Sequence, residues 1–306
     1  MDGNANLKNL SRGAIKPRKI TEVLLSLPTA LWLALFFVIP SVLIFTIAFR
    51  PSDIGGGIGG GWTLQTLSGV FSSNYVFILW RTIWVSAVVT VICIVAAIPV
   101  AYYIACAKRA WRPWLLLALV LPLWTNFLIR IFAWRLVLHP DGLFRKTLLF
   151  FGMPDDVFLL NNVGAVIAVT VYTYLPFAIL PIYAAAEKFN FSLLEAARDL
   201  GAGKFKAFCS MFIPGIKKGI ITAFLIVFIP SLGSYAIPEL VGGISSELIG
   251  NKIALKAIGN RNLPEAAAYA AILATLILMP IFAALIFNRR NLKAFLRARM
   301  GGEGGK

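Results

Sequence analysis

The chain of 306 residues is 59% hydrophobic and only 14% charged, with a mean hydropathy of +0.82. Soluble domains carry about 25% charged residues, so this composition excludes a water-exposed globular domain and puts most of the chain in lipid. The formal charge of +16 does not point to nucleic acid, because the basic residues are spread over short polar intervals rather than gathered in one patch.

Residues 1–22 are polar and basic, with Lys8, Arg12, Lys16, Arg18 and Lys19. No small-residue cleavage pattern is evident, so a tail is expected there rather than a cleaved leader. A first span covers about Leu24 to Phe49 and contains Pro28 and Pro40, which membrane helices tolerate where neighbours or water satisfy the freed carbonyls. The interval Arg50 to Tyr75 holds six glycines in seven residues, Gly55 to Gly61. No Lys-Ser/Thr follows, so this run reads as a flexible connector and not as a phosphate loop.

The second span, about Phe77 to Ala107, is long enough to tilt and closes on Lys108-Arg109 and Arg112-Pro113. A third, from Trp114 to Leu138, is expected as one helix with Trp124, Phe127, Ile131 and Trp134 on a single stripe. Pro140-Asp141-Gly142 marks a turn in the interval His139 to Asn162, and the fourth span covers about Val163 to Ala186 with Pro176 and Pro181 inside it. The fifth begins after Lys217-Lys218 and is expected to reach Pro238, which sets Tyr235 and Glu239 four apart near its end. A loop to Pro264 and a sixth span from about Ala266 to Phe287 complete the hydrophobic part, and a tail opens with Asn288-Arg289-Arg290.

Each span has the roughly 20 apolar residues that a bilayer core requires. Residues 1–22, 108–113, 187–218 and 288–306 carry 20 of the 29 Lys and Arg, against 6 in the alternate intervals and 3 within spans. Cytoplasmic intervals are the basic ones, so both termini and the interval 187–218 are expected on the cytoplasmic side. Cys93, Cys106 and Cys209 have no metal spacing and read as small hydrophobes. His139 sits alone beside a turn. No metal site and no catalytic constellation is expected.

The interval Ser192 to Pro214 is the polar interruption around which the rest is arranged. Ser192 and Glu195 have the spacing of a capping box. Ala196, Ala197, Arg198 and Leu200 continue a helix, and Gly201-Ala202-Gly203 ends it. A second short helix from Lys204 must stop near Pro214, and Ala197 with Gly201 leaves one face without bulk. A helix–turn–helix of this kind is too polar to span and suits docking into a groove of a partner.

Glu195-Ala196-Ala197, three residues, Gly201, nine residues and Met211-Phe212-Ile213-Pro214 resemble the EAA loop of ABC-importer permeases, in which apolar residues precede the final proline. Leu121 to Arg130, Tyr235 to Gly243 and Ile249-Gly250-Asn251 resemble the spermidine/putrescine type within that family. The resemblance implies an all-α integral membrane protein of six transmembrane helices, the type I ABC importer permease (MetI-like) fold. Residues 23–287 would form the permease domain, with cytoplasmic tails 1–22 and 288–306 and a coupling loop at 187–218. It implies Leu194, Glu195, Ala196, Ala197, Gly201 and Lys204 as the surface that docks on an ATPase. The implied partners are an ATPase subunit pair that binds ATP and magnesium, a second and distinct permease chain, and a periplasmic substrate-binding protein in the bacterial inner membrane. Lipid surrounds the bundle.

No G-x-x-x-x-G-K-[ST] run occurs, so no nucleotide cofactor is expected in this chain and no enzymatic step is assigned to it. For cargo, Trp124, Trp134, Tyr235 and Glu239 combine aromatic faces with a carboxylate, which suits an organic ammonium; aromatic belts and helix packing are the competing roles. Arg130 and Arg135 weigh against a cation and leave an anionic or other small organic solute open. Glu239 or a partner subunit is the expected counter-ion for them. An ion-driven secondary transporter is a rival reading, opposed by the lack of a clear internal repeat and of acids at the span centres.

Overall fold

The computed structural model describes residues 19–280 and 282, apart from 54, 72, 153 and 155–157. Residues 1–18, the end of the sixth expected span and the tail from 288 lie outside the described residues. The described part is helical, with one isolated bridge between Ser52 and Ile58 and no strand. Four helices are long and apolar enough to cross a membrane, and the number rises to six if each of two bent pairs counts as one span.

Three helices form the core: α3 (Ser73–Cys106), α6 (Val163–Glu187) and α9 (Lys217–Leu232). Thr82, Ser86, Val89, Cys93, Ala97 and Ala101 recur at helical spacing along α3 and are all buried. Small side chains let helix backbones approach closely, which is how helices associate without a hydrophobic drive between them. Val166, Val169, Thr170, Thr173 and Ile179 face them from α6. Each buried threonine returns its hydroxyl to a carbonyl one turn back in its own helix: Thr82 to Ile78, Thr90 to Ser86, Thr170 to Val166 and Thr173 to Val169. Their hydrogen-bonding capacity is thereby met in an apolar setting.

The first span is different. It consists of α1 (Lys19–Leu33), a π-turn at Ala34–Val38 and α2 (Ile39–Ala48). Among its described side chains only Ala48 is buried, so this helix lays almost no surface against its own bundle. The π-turn lies between Pro28 and Pro40, where two missing N–H donors loosen the ladder.

Four sequence expectations change. The third span is not one helix: α4 (Arg112–Val120), extended by a tight turn to Trp124, meets α5 (Phe127–Leu138) at 87°. Thr125 is extended, and Asn126 starts α5 afresh by accepting the N–H groups of Leu128 and Ile129. Trp124 therefore leaves the stripe that Ile131 and Trp134 share. The fifth span ends at Leu232, not Pro238, because Pro230, Gly233 and an irregular Ser234-Tyr235 interrupt it. The interval to Pro264 is not a plain loop: it carries a π-turn at Pro238–Gly242 and a helix, α10 (Ile249–Ala254). The glycine run is also more than a flexible connector, since Gly56 accepts from Leu263 N at 3.2 Å and Gly59 N donates to Pro51 at 2.9 Å. It holds the start of the last described helix, α11 (Leu263–Pro280).

Candidate functional site

At one end of the core, α6 passes into the polar elbow. Its first helix, α7 (Ser192–Asp199), is not started by a capping box. Asn190 performs that role: its Oδ1 accepts from the backbone N–H of Ser192 at 3.1 Å and from the Ser192 hydroxyl at 2.8 Å. An Asn two positions earlier reaches the first free N–H directly, which leaves Glu195 exposed and free of capping.

The far end of α7 closes as the sequence predicts. Gly201 has φ +86°, its N–H donates to Arg198 at 2.9 Å, and Ala202 N donates to Ala197 at 3.0 Å. This is the paired 5→2 and 6→1 closure that a left-handed residue permits. A Cβ at Gly201 would meet no atom within 4 Å, so conformation, not space, requires glycine there.

The faces divide differently from the sequence expectation. Leu194 and Ala197 are buried against the bundle, whereas Glu195, Ala196, Gly201 and Lys204 face outward. Glu195 and Lys204 border a polar depression with Arg198, Asp199, Ala202 and Gly203. The small face that Ala197 and Gly201 were expected to share does not exist, because Ala197 turns inward. Two residues that sequence reasoning passed over flank the turn: Leu200 is 90% exposed and Phe205 80% exposed. Their place on either side of the glycine turn was the available signal.

The elbow is rooted by aromatic rings. Tyr102 of α3 lies 5.3 Å from Phe208 and 5.0 Å from Phe212, and Phe189 lies 5.3 Å from Phe212, all edge to face. Phe212 is wholly buried, inside a π-turn at Phe208–Phe212 that follows α8 (Lys204–Ala207). A 69° bend then turns this second helix, Lys204–Gly215, into α9. Arg112 adds a polar tie: it donates to the carbonyls of Ala105 and Ala107 at the end of α3 and lies 3.8 Å from Glu187.

At the opposite end of the core, Tyr235 and Glu239 sit beyond α9 and still share one turn, with Glu239 N donating to Tyr235 O at 3.1 Å. They line a cavity of about 250 Å³ with Glu247, Asn251, Leu255 and Ile258. Glu239 has no cationic partner among the described residues; its Oε2 accepts from Asn251 Nδ2 at 2.7 Å. The neighbouring acids are neutralised, Glu247 by Lys252 at 3.1 Å and Glu265 by Lys256 at 2.8 Å. Neither tryptophan lines this cavity: Trp124 is 73% exposed beyond the 87° break, and Trp134 packs edge to face on Tyr172 at 5.2 Å. The expected pairing of Glu239 with Arg130 or Arg135 is absent. Arg130 keeps a buried Nε with no hydrogen-bond partner, and Arg135 forms no ion pair with a described residue. Arg81 at the same end donates to Ser245 O and lies over the Phe77 ring at 4.8 Å.

An apolar helical bundle with a rigidly seated polar elbow at one end and a carboxylate-lined cavity at the other defines a membrane transport subunit. Residues 18–296 match the family described as binding-protein-dependent transport system inner membrane component, and the chain belongs to it. It is accordingly a permease of the ABC-importer class in the inner membrane. The spermidine/putrescine transport system permease protein PotB of Haemophilus influenzae is 35% identical over 261 residues, 85% of this chain and 90% of that protein. A bacterial ABC transporter involved in the import of the acidic polysaccharide alginate shares the fold at a TM-score of 0.68 and 19% identity, over 94% of this chain and 99% of that one. The bacterial alginate transporter in complex with an alginate pentasaccharide-bound periplasmic protein gives a TM-score of 0.67 at 18% identity, over 90% and 96%.

Proposed function

We propose that this permease forms half of the pathway of an ATP-driven importer whose cargo is a polyamine such as spermidine or putrescine. The observation that carries the cargo reading is the Glu239 carboxylate: it lines a cavity beside Tyr235 with no cation among the described residues to neutralise it. An ammonium group is attracted by such a carboxylate and by a ring face, and the methylene spacers of a polyamine suit the apolar wall of Leu255 and Ile258. The likeness to a spermidine/putrescine permease supports the same cargo. The permease fold by itself does not select it, since the alginate importer carries an acidic polysaccharide on that fold.

In this reading both termini and the elbow are cytoplasmic, as the Lys and Arg distribution favours. The elbow seats in an ATPase subunit, with Leu200 and Phe205 as apolar plugs and Glu195, Ala196, Gly201 and Lys204 as the polar surround. Leu194 and Ala197 act from behind by fixing α7 to the bundle. ATP and magnesium are bound by a pair of separate ATPase chains, so this chain is not itself an enzyme. A second permease supplies the other half of the pathway, and a periplasmic binding protein delivers the cargo, the kind of partner found on the alginate transporter.

The aromatic box gives a route for force. Closure of the ATPase pair displaces the elbow, and the rings around Phe212 pass that displacement to α3 and α9 together because interlocked side chains move as a unit. Alternating access follows when the two permease halves rock. The test is uptake of labelled spermidine by proteoliposomes holding the complete complex with its binding protein. Uptake that requires ATP and is competed by putrescine but not by an anionic oligosaccharide is the expected result. Uptake without the ATPase, or selective for the anion, overturns the proposal.

A further inference from the structure

We infer that Asn251 is a positioning residue for cargo recognition: its side-chain amide holds the Glu239 carboxylate in the one orientation that faces the cavity. This inference rests on the proposed pathway role of Glu239. Asn251 is 4% exposed, lies in α10, and is engaged on both sides of its amide group. Its Nδ2 donates to Glu239 Oε2 at 2.7 Å and to Tyr235 O at 3.3 Å, and its Oδ1 accepts from Leu248 N at 3.4 Å. One amide thus joins the start of α10 to both ends of the turn that bears the carboxylate.

The chemistry calls for an amide at this position. A glutamate on an exposed turn samples many rotamers, and fixing it costs side-chain entropy on each binding event. A buried neutral donor removes that cost beforehand without cancelling the negative charge, which a lysine or arginine would do. Charge-assisted hydrogen bonds are also the shorter and stronger kind, in keeping with the 2.7 Å contact. The contrast within the same cavity is direct. Glu247 is held by Lys252 and has its charge matched, whereas Glu239 is held by an amide and keeps its charge for a ligand.

Gly250 sets the approach. A Cβ there would stand 2.5 Å from Ser234 O, so only glycine lets α10 come close enough for its next residue to reach Tyr235 and Glu239.

The experiment uses the complete transporter in proteoliposomes, with spermidine uptake and binding-protein-stimulated ATP hydrolysis measured together on three variants. Glu239→Gln removes the charge. Asn251→Asp keeps the shape and the acceptor for Leu248 N but loses the donor. The double variant reverses the hydrogen bond, with an amide at 239 donating to a carboxylate at 251. Each single substitution is expected to raise KM for spermidine about tenfold with ATP hydrolysis retained, the size expected for loss of one charge-assisted contact. The double variant is expected to be no worse than Glu239→Gln alone, because a residue that acts only through the carboxylate has nothing left to orient once the charge is gone.

If Glu239→Gln leaves KM unchanged, the pathway role of Glu239 fails and this inference falls with it. If Glu239→Gln raises KM but Asn251→Asp does not, Glu239 stands and Asn251 is not its positioner. A double variant whose defect equals the product of the two single defects likewise overturns the positioning role, as does loss of hydrolysis and uptake together in Asn251→Asp.

Discussion

The two ends of the bundle reverse the chain by opposite means. The elbow turns at a single left-handed glycine, and its outer residues Glu195, Ala196, Leu200, Lys204 and Phe205 are exposed. The opposite end turns through broken helix, where Asn251 holds Glu239 and ion pairs join Glu247 to Lys252 and Glu265 to Lys256. A surface relieved of internal duties is available to a protein partner, and one whose groups are cross-linked holds a fixed cavity. Substitutions at the elbow should therefore separate function from stability, and those at the close backbone contacts of the other end should not.

The sharpest attempt to break that contrast is Gly250→Ala. The added Cβ would face a main-chain carbonyl that cannot rotate away, so a loss of about 2–3 kcal/mol is expected, as for an overpacked site. It is read as a lower melting midpoint of the purified complex together with reduced uptake. An unchanged midpoint would mean that the two segments are not rigidly apposed. Next in size is Gly201→Glu, which meets no atom but must hold a left-handed backbone at about 1–2 kcal/mol. The complex should assemble and hydrolyse ATP while uptake falls severalfold or more. Normal uptake with normal hydrolysis would remove the elbow from coupling. Smallest is Glu187→Gln. The Arg112 contact at 3.8 Å is half open to solvent, and such pairs contribute at most about 0.5 kcal/mol. Uptake and melting should both stay at parental values, and a large effect would assign this pair a role in force transfer.

The sequence revealed the elbow more fully than the cavity, for physical reasons. Span positions follow from runs of apolar residues, and the closure at Gly201 follows from a local backbone demand, so both are written in consecutive residues. The start of α7 departs from the sequence expectation because Ser192 and Glu195 match a capping box, while Asn190 takes the Ser192 N–H itself. The inward turn of Leu194 and Ala197 depends on how α7 lies against the π-turn Phe208–Phe212, which no local pattern states. The break at Thr125-Asn126 had its signals in Pro122 and in an N-cap residue, and the apolar content on either side masked them. At the cavity, Tyr235 and Glu239 were placed on a span that had already ended, yet one further turn keeps them together. The contact between Asn251 and Glu239 joins residues twelve apart across an irregular segment, beyond the reach of helical spacing.

The hydroxyls along the seam between α3 and α6 have a mechanical consequence. Because Thr90, Thr170 and Thr173 each bond within their own helix, sliding one rod past the other breaks none of those bonds, and the sulfur contact across it, Cys93 to Val171 O at 3.7 Å, is weak. Friction there is a matter of shape alone. At its far end α3 is tied to α10 instead, where the Thr82 hydroxyl accepts from Ile249 N at 3.0 Å. Displacement of α3 along α6 would therefore carry α10 with it, and with α10 the Asn251 amide that reaches Glu239.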